Sequence, residues 1–202
     1  VFRICEDAVW VWEFIEREEK KDDFVSADKI MNKEEAIRAT IMGKRVAELY
    51  IDPLTAYFFI DCLRKNSNKK THEFSFLQMV SHTLEMRPLV SVKESETAEI
   101  EEIILQRNRH ILRDIPEEYD LEFEDFAKSI KTALMFESWT NEATEDQILT
   151  KFKIAPGELH SKLLLVDWLL YALHELALLS GYKELLHQLR KLRVRIKYGI
   201  RE

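Results

Sequence analysis

The stretch ELHSKLLLVDWLLYALHELALL, residues 158–179, decides the fold. Pro156 and Gly157 precede it and Gly181 follows it, which is the punctuation of a long helix. At about 100° per residue, Leu159, Leu163, Val166, Leu170, Leu173 and Ala177 share one face, and Ser161, Leu164, Trp168, Ala172 and Glu175 lie roughly opposite. A helix that is apolar nearly all round is packed between others, so the stretch predicts the central helix of a bundle. Its longest apolar run, from Leu163 to Leu179, is broken by Asp167, His174 and Glu175 and falls short of the about 20 apolar residues that cross a bilayer. No membrane partner is expected.

The flanks read in the same way. Asp52-Pro53 is a cap and first turn for a helix through Tyr57, Phe58 and Cys62 to Arg64. After a polar loop from Asn66 to Lys70, helical patterns cover His72 to Leu84, Glu94 to Arg113, Phe123 to Trp139 and Thr144 to Phe152. Residues 53–202 are therefore an all-helical domain. Residues 1–52 differ. Ile4, Ala8, Val11, Phe14 and Ile15 predict an amphipathic helix over residues 2–19, and Phe24 to Ser26 and Ala36 to Thr40 are short strand-like stretches. Thr40 is placed to cap a helix from Ile41 to Leu49. Helix, ribbon at about 24–40 and helix read equally as the C-terminal part of a winged helix or as two helices joined by an irregular loop.

Composition agrees with a mainly α class. The 202 residues are 46% hydrophobic and 33% charged, enough for one or two cored domains, and contain only four glycines and four prolines, too few for a turn-rich sandwich. Cys5 and Cys62 are isolated thiols with neither a disulfide framework nor metal spacing, which fits a reducing cytoplasm. The net charge of −7 is uneven: Lys183 to Glu202 carries +5, so residues 1–182 carry −12. The chain has no initiator Met and stops inside the helix-like stretch from Arg190 to Glu202, so a longer parent protein is expected.

The usual catalytic signatures are missing. Ile41-Met42-Gly43-Lys44-Arg45 lacks the first glycine and the magnesium-holding hydroxyl of a phosphate loop, so ATP hydrolysis through such a motif is excluded. The six histidines show no metal-ligand spacing and no nucleophile elbow is present. No catalytic residue, cofactor site or metal site is expected in this chain. Two features remain. The basic run, with Arg190, Lys191, Arg193 and Arg195, is either a phosphate-contacting surface or a solvated face beside an acidic domain. Trp168 is either packed in the core or set to stack on a base.

Several motifs then agree in order with one family. Met42-Gly43-Lys44-Arg45-Val46-Ala47-Glu48-Leu49-Tyr50-Ile51-Asp52-Pro53-Leu54-Thr55 resembles the archaeal Ski-like superfamily 2 DNA helicases, relatives of the helicase part of DNA polymerase theta. Lys131-Thr132-Ala133-Leu134 with Trp139, Ile154-Ala155-Pro156-Gly157-Glu158-Leu159, Asp167-Trp168-Leu169-Leu170 and the ending Lys197-Tyr198-Gly199-Ile200-Arg201-Glu202 are similar to the same family. The resemblance implies a partial winged helix over 1–52 and a ratchet domain over 53–202, with 190–202 leading toward a helix-loop-helix domain. It also implies ATP- and magnesium-binding RecA-like motor domains elsewhere in the parent chain.

By the same resemblance, residues 158–179 are the ratchet helix that lies across a translocating single strand. Trp168 matches the family's base-stacking tryptophan, and Ser161, with Lys162 adjacent, stands where relatives carry a stacking arginine. The implied DNA contacts are Ser161, Lys162, Trp168 and Glu175, joined by Arg190, Lys191, Arg193 and Arg195 of the basic run. The expected function is the accessory region of an ATP-dependent 3′–5′ DNA helicase acting on single-stranded or forked DNA in fork repair and restart. The alternatives are a protein-interaction scaffold and a winged-helix DNA-binding module.

Overall fold

The computed structural model describes residues 14–17, 37–67 and 71–201. The chain divides into two compact units, the first ending at Tyr50 and the second beginning at Ile51.

In the first unit, β1 (Ile15–Arg17) pairs antiparallel with β2 (Ile37–Ala39), Ile15 opposite Ala39 and Arg17 opposite Ile37. α1 (Ile41–Leu49) follows directly, its first turn closed by the Thr40 hydroxyl, which accepts from the Gly43 amide at 3.0 Å. Thr40 N donates to Phe14 O at 3.0 Å, and a Cβ on Gly43 would lie 2.0 Å from that same oxygen. Only glycine admits this approach of strand to helix. The helix expected over residues 2–19 is corrected where it can be seen, since its described end is a turn and a strand. The ladder with β2 satisfies the backbone there and overrides the helical spacing of the side chains. The ribbon pairs β2 with residues 15–17. The strand-like stretch Phe24 to Ser26 lies outside the described residues.

The second unit is a helical bundle. α2 (Pro53–Lys65) has Pro53 in its first turn and the Asp52 carboxylate accepting from Leu54 N at 2.8 Å. α3 (Glu73–Ser81) is capped by the His72 ring, and α4 (Glu94–Arg107) runs into a 3₁₀ turn at Asn108–His110. α5 (Phe123–Thr140), α6 (Glu145–Phe152), α7 (Pro156–Leu179) and α8 (Leu186–Tyr198) complete it. Thr144 and Gln147 form a reciprocal capping box at the start of α6. Among the described residues, no helix is long and apolar enough to cross a membrane.

α7 packs against α2, α3, α6 and most extensively α8, while α5 packs on α3 and α4. The most enclosed element, however, is α3, whose residues from Phe74 to Ser81 are all buried. The short EFSFLQMVS sequence carries no clear periodicity because every side chain after Glu73 faces protein. α7, apolar in composition, instead keeps one side open.

Polar groups inside the bundle hold its loops. Asn66, read as the start of a polar loop, is buried and donates its amide to Cys62 O at 2.8 Å and Leu112 O at 2.7 Å. Lys131 is 6% exposed and reaches Ser91 O at 2.8 Å and the Glu96 carboxylate at 2.6 Å. The Trp139 indole donates to Ile196 O at 2.7 Å and so fastens α5 to α8.

Candidate nucleic-acid interface

The turn of α7 sorts its side chains into two sides. Leu159, Lys162, Val166, Leu169, Leu170, Ala172, Leu173, Leu176 and Ala177 are buried, so Ala172, expected on the face of Ser161 and Trp168, belongs to the packed side. Gly157, Ser161 and Leu164 are exposed, and Trp168, Tyr171 and Glu175 are half-buried, at the spacing of three and four residues that makes one continuous stripe. Leu164 is 64% exposed, an unusual position for a leucine in the middle of a bundle helix. The stripe therefore presents an aliphatic side chain, an indole and a phenol in succession.

α8 lies alongside and supplies the charge. The Arg193 guanidinium grips the Asp167 carboxylate with two hydrogen bonds, Nε to Oδ1 at 2.9 Å and Nη2 to Oδ2 at 3.2 Å, and lies 4.9 Å from the centre of the Tyr171 ring. Arg190 is exposed and its Nε donates to His174 Nε2 at 3.2 Å, while His174 Nδ1 lies 3.2 Å from Glu175 Oε1. One neutral tautomer of His174, protonated on Nδ1, satisfies both contacts. Lys191 is half-buried, and Lys197 is exposed one turn beyond Arg193.

The expected contacts thus separate. Ser161 and Trp168 lie together on the open stripe, with Glu175 two turns further along. Lys162 does not join them: it is 3% exposed, and its Nζ donates to Met86 O at 3.3 Å and to Pro88 O. Burial holds its pKa below the ordinary lysine range. Arg195 is likewise corrected, since it is 7% exposed and its guanidinium is committed to Glu73, Thr140 O and Ile200 O. Neither cation is exposed. The charge of Arg193 is matched by Asp167, and the exposed cations of α8 are Arg190 and Lys197.

Sequence reasoning missed Tyr171, Asp167 and His174. Tyr171 was legible as the residue three positions beyond Trp168 on the same stripe. Asp167 and His174 take their meaning from α8, whose rotation against α7 no local spacing reveals. Elsewhere, no cluster of three or more potential metal ligands occurs among the described residues. The Cys62 thiol is buried and its pKa is pushed up to about 12 by desolvation, which disfavours the thiolate.

These features define a helical-bundle domain that offers one half-open aromatic helix bordered by a basic one. A family model for domain 4 of archaeal helicases matches residues 74–199, and the chain belongs to that family. Among curated proteins it is 39% identical over 163 residues to the ATP-dependent DNA helicase Hel308 of Methanocaldococcus jannaschii, covering 81% of this chain and 12% of the relative. It is 34% identical over 173 residues to the protein of the same name from Pyrococcus horikoshii, covering 84% of this chain and 23% of that one. A third, from Thermococcus kodakarensis, is 35% identical over 176 residues, 85% of this chain and 15% of the relative. The chain thus spans a quarter or less of the length of these relatives.

Proposed function

We propose that this chain is the accessory region of an ATP-dependent DNA helicase and that α7 grips the single strand along which the enzyme moves 3′ to 5′. The observation that supports this reading is the open stripe of α7, on which Trp168 lies half-buried within the segment matched to the helicase family. Stacking suits such an enzyme because every base has a π-face, so the contact contributes about 1–3 kcal/mol per base without regard to sequence. Trp168 is half-buried and lies between exposed Ser161 and Leu164 and half-buried Tyr171 on that stripe.

The motor in this reading is elsewhere in the parent protein. RecA-like domains bind ATP and magnesium and open and close with each cycle, and the bundle holds the strand so that each cycle yields net movement. The first unit is part of a winged helix, the substrate is single-stranded or forked DNA in fork repair and restart, and the setting is the cytoplasm.

The test is direct binding by the 202-residue chain. Titration with a fluorescent oligo(dT) and with a duplex of the same length is expected to show preference for the single strand and weakening with salt. Absence of binding at low salt, or binding to duplex alone, overturns the reading.

A further inference from the structure

Ser161 brings neither a ring nor a cation to the open stripe of α7, and its hydroxyl donates back to Gly157 O at 2.8 Å. A planar cation nevertheless lies next to the stripe. Arg193 of α8 sits 4.9 Å from the Tyr171 ring centre, and its fork is fixed by two bonds to Asp167. Both Tyr171 and the Arg193 side chain, 31% exposed, are partly open.

Tyr171 follows Trp168 by three residues, about 60° round the helix and about 4.5 Å along its axis. Consecutive bases of a strand are separated by about 3.4 Å when stacked, and by more when the strand is extended. We infer that the Tyr171 ring and the Arg193 guanidinium lying on it form a second base-stacking platform, which holds the nucleotide next to the one on Trp168. Asp167 is the positioning residue of this platform. It neutralises Arg193, so the guanidinium acts through its plane rather than as a phosphate contact, and its bidentate grip sets the plane against the ring. The cation of this platform comes from α8, while its ring comes from α7.

This inference rests on the proposal that α7 holds single-stranded DNA, and the experiment keeps the two apart. Affinity is measured for oligo(dT) and for an abasic deoxyribose-phosphate oligomer of the same length, with Trp168→Ala, Tyr171→Ala, Tyr171→Phe and Arg193→Lys in the 202-residue chain. Tyr171→Ala is expected to weaken oligo(dT) binding by roughly five- to thirtyfold and to leave the abasic oligomer nearly unaffected, because the lost contact is to a base. Tyr171→Phe, which keeps the ring, recovers most of that loss. Arg193→Lys, which keeps the charge but not the plane, weakens oligo(dT) binding in the same base-dependent way and carries the test if Tyr171→Ala fails to fold. Equal penalties on both oligomers, or none on either, with a base-dependent penalty for Trp168→Ala, overturn the platform alone. The absence of any base-dependent penalty for Trp168→Ala overturns the grip by α7 itself.

Discussion

Ser161 and Lys162 are neighbours in sequence and occupy different sides of α7: Ser161 is exposed on the open stripe, and Lys162 is buried with its Nζ on the carbonyls of Met86 and Pro88. One step of about 100° separates the surface facing solvent from the surface facing the bundle. Lys162 therefore fixes the loop after α3.

Lys162→Met tests that assignment. The substitution fills the same volume but orphans two carbonyls, so it is expected to lower unfolding free energy by about 1–3 kcal/mol. Urea denaturation measures the loss. Binding of oligo(dT), measured alongside, keeps its dependence on salt, and a flatter dependence would return Lys162 to the DNA face.

Arg190 and Arg195 lie one and a half turns apart on α8 and are expected to respond oppositely. Arg195→Gln breaks a pair with Glu73 that is largely enclosed and releases Thr140 O, at an expected cost of about 3 kcal/mol in stability. Arg190→Gln costs little stability, and for each phosphate contact removed the slope of log affinity against log salt flattens by about 0.7 on a single strand. Loss of salt dependence in Arg195→Gln without loss of stability would reverse the assignment.

His82 supplies a pH dependence of folding. Its Nε2 faces the Arg113 guanidinium, and burial first, then the charges of Arg113 and Arg87, lower its pKa to about 4 from 6.5. A lowered histidine pKa means that the folded state binds fewer protons than the unfolded one in this interval. The stabilising effect is complete above pH 6.5 and is lost as pH falls from 6.5 through 4, by roughly 3 kcal/mol in total. His82→Gln keeps an acceptor for Arg113 and is expected to flatten unfolding free energy over that interval. An unchanged slope would place the titration elsewhere.

Gly199 ends α8 with φ +61, and a Cβ there would lie 2.9 Å from ring atoms of Trp139. Gly199→Ala combines left-handed backbone cost with a clash against the indole that fastens α5 to α8, and is expected to destabilise by about 2 kcal/mol or more. Trp139→Phe in the same background should recover part of this loss, as read from urea midpoints. Additive losses would show that the contact is not the cause.

The bundle was legible where signals are local. Asp52-Pro53, Thr144 with Gln147 and Pro156 mark helix starts by the chemistry of caps, which a sequence displays directly. Periodicity put Trp168 opposite the Leu159, Leu163, Val166 and Leu170 face and left packing and stacking open; the stacking reading came from the family resemblance. The fate of the cations was not. Lys162, Arg193 and Arg195 look alike in a basic or mixed stretch, and their roles are decided by Pro88, Asp167 and Glu73, which are brought to them by packing. β1 was missed for the same reason, since its partner is twenty or more residues away and the pairing leaves no local mark.

The most direct test of the account is Trp168→Ala, measured for both stability and single-strand affinity in the same protein. If the indole faces the strand, oligo(dT) affinity falls by about 1–3 kcal/mol and unfolding free energy changes by less than about 1 kcal/mol. A core tryptophan truncated to alanine would instead cost roughly 3–5 kcal/mol in stability. Strong destabilisation with unchanged affinity for the single strand would contradict the claim that α7 grips DNA.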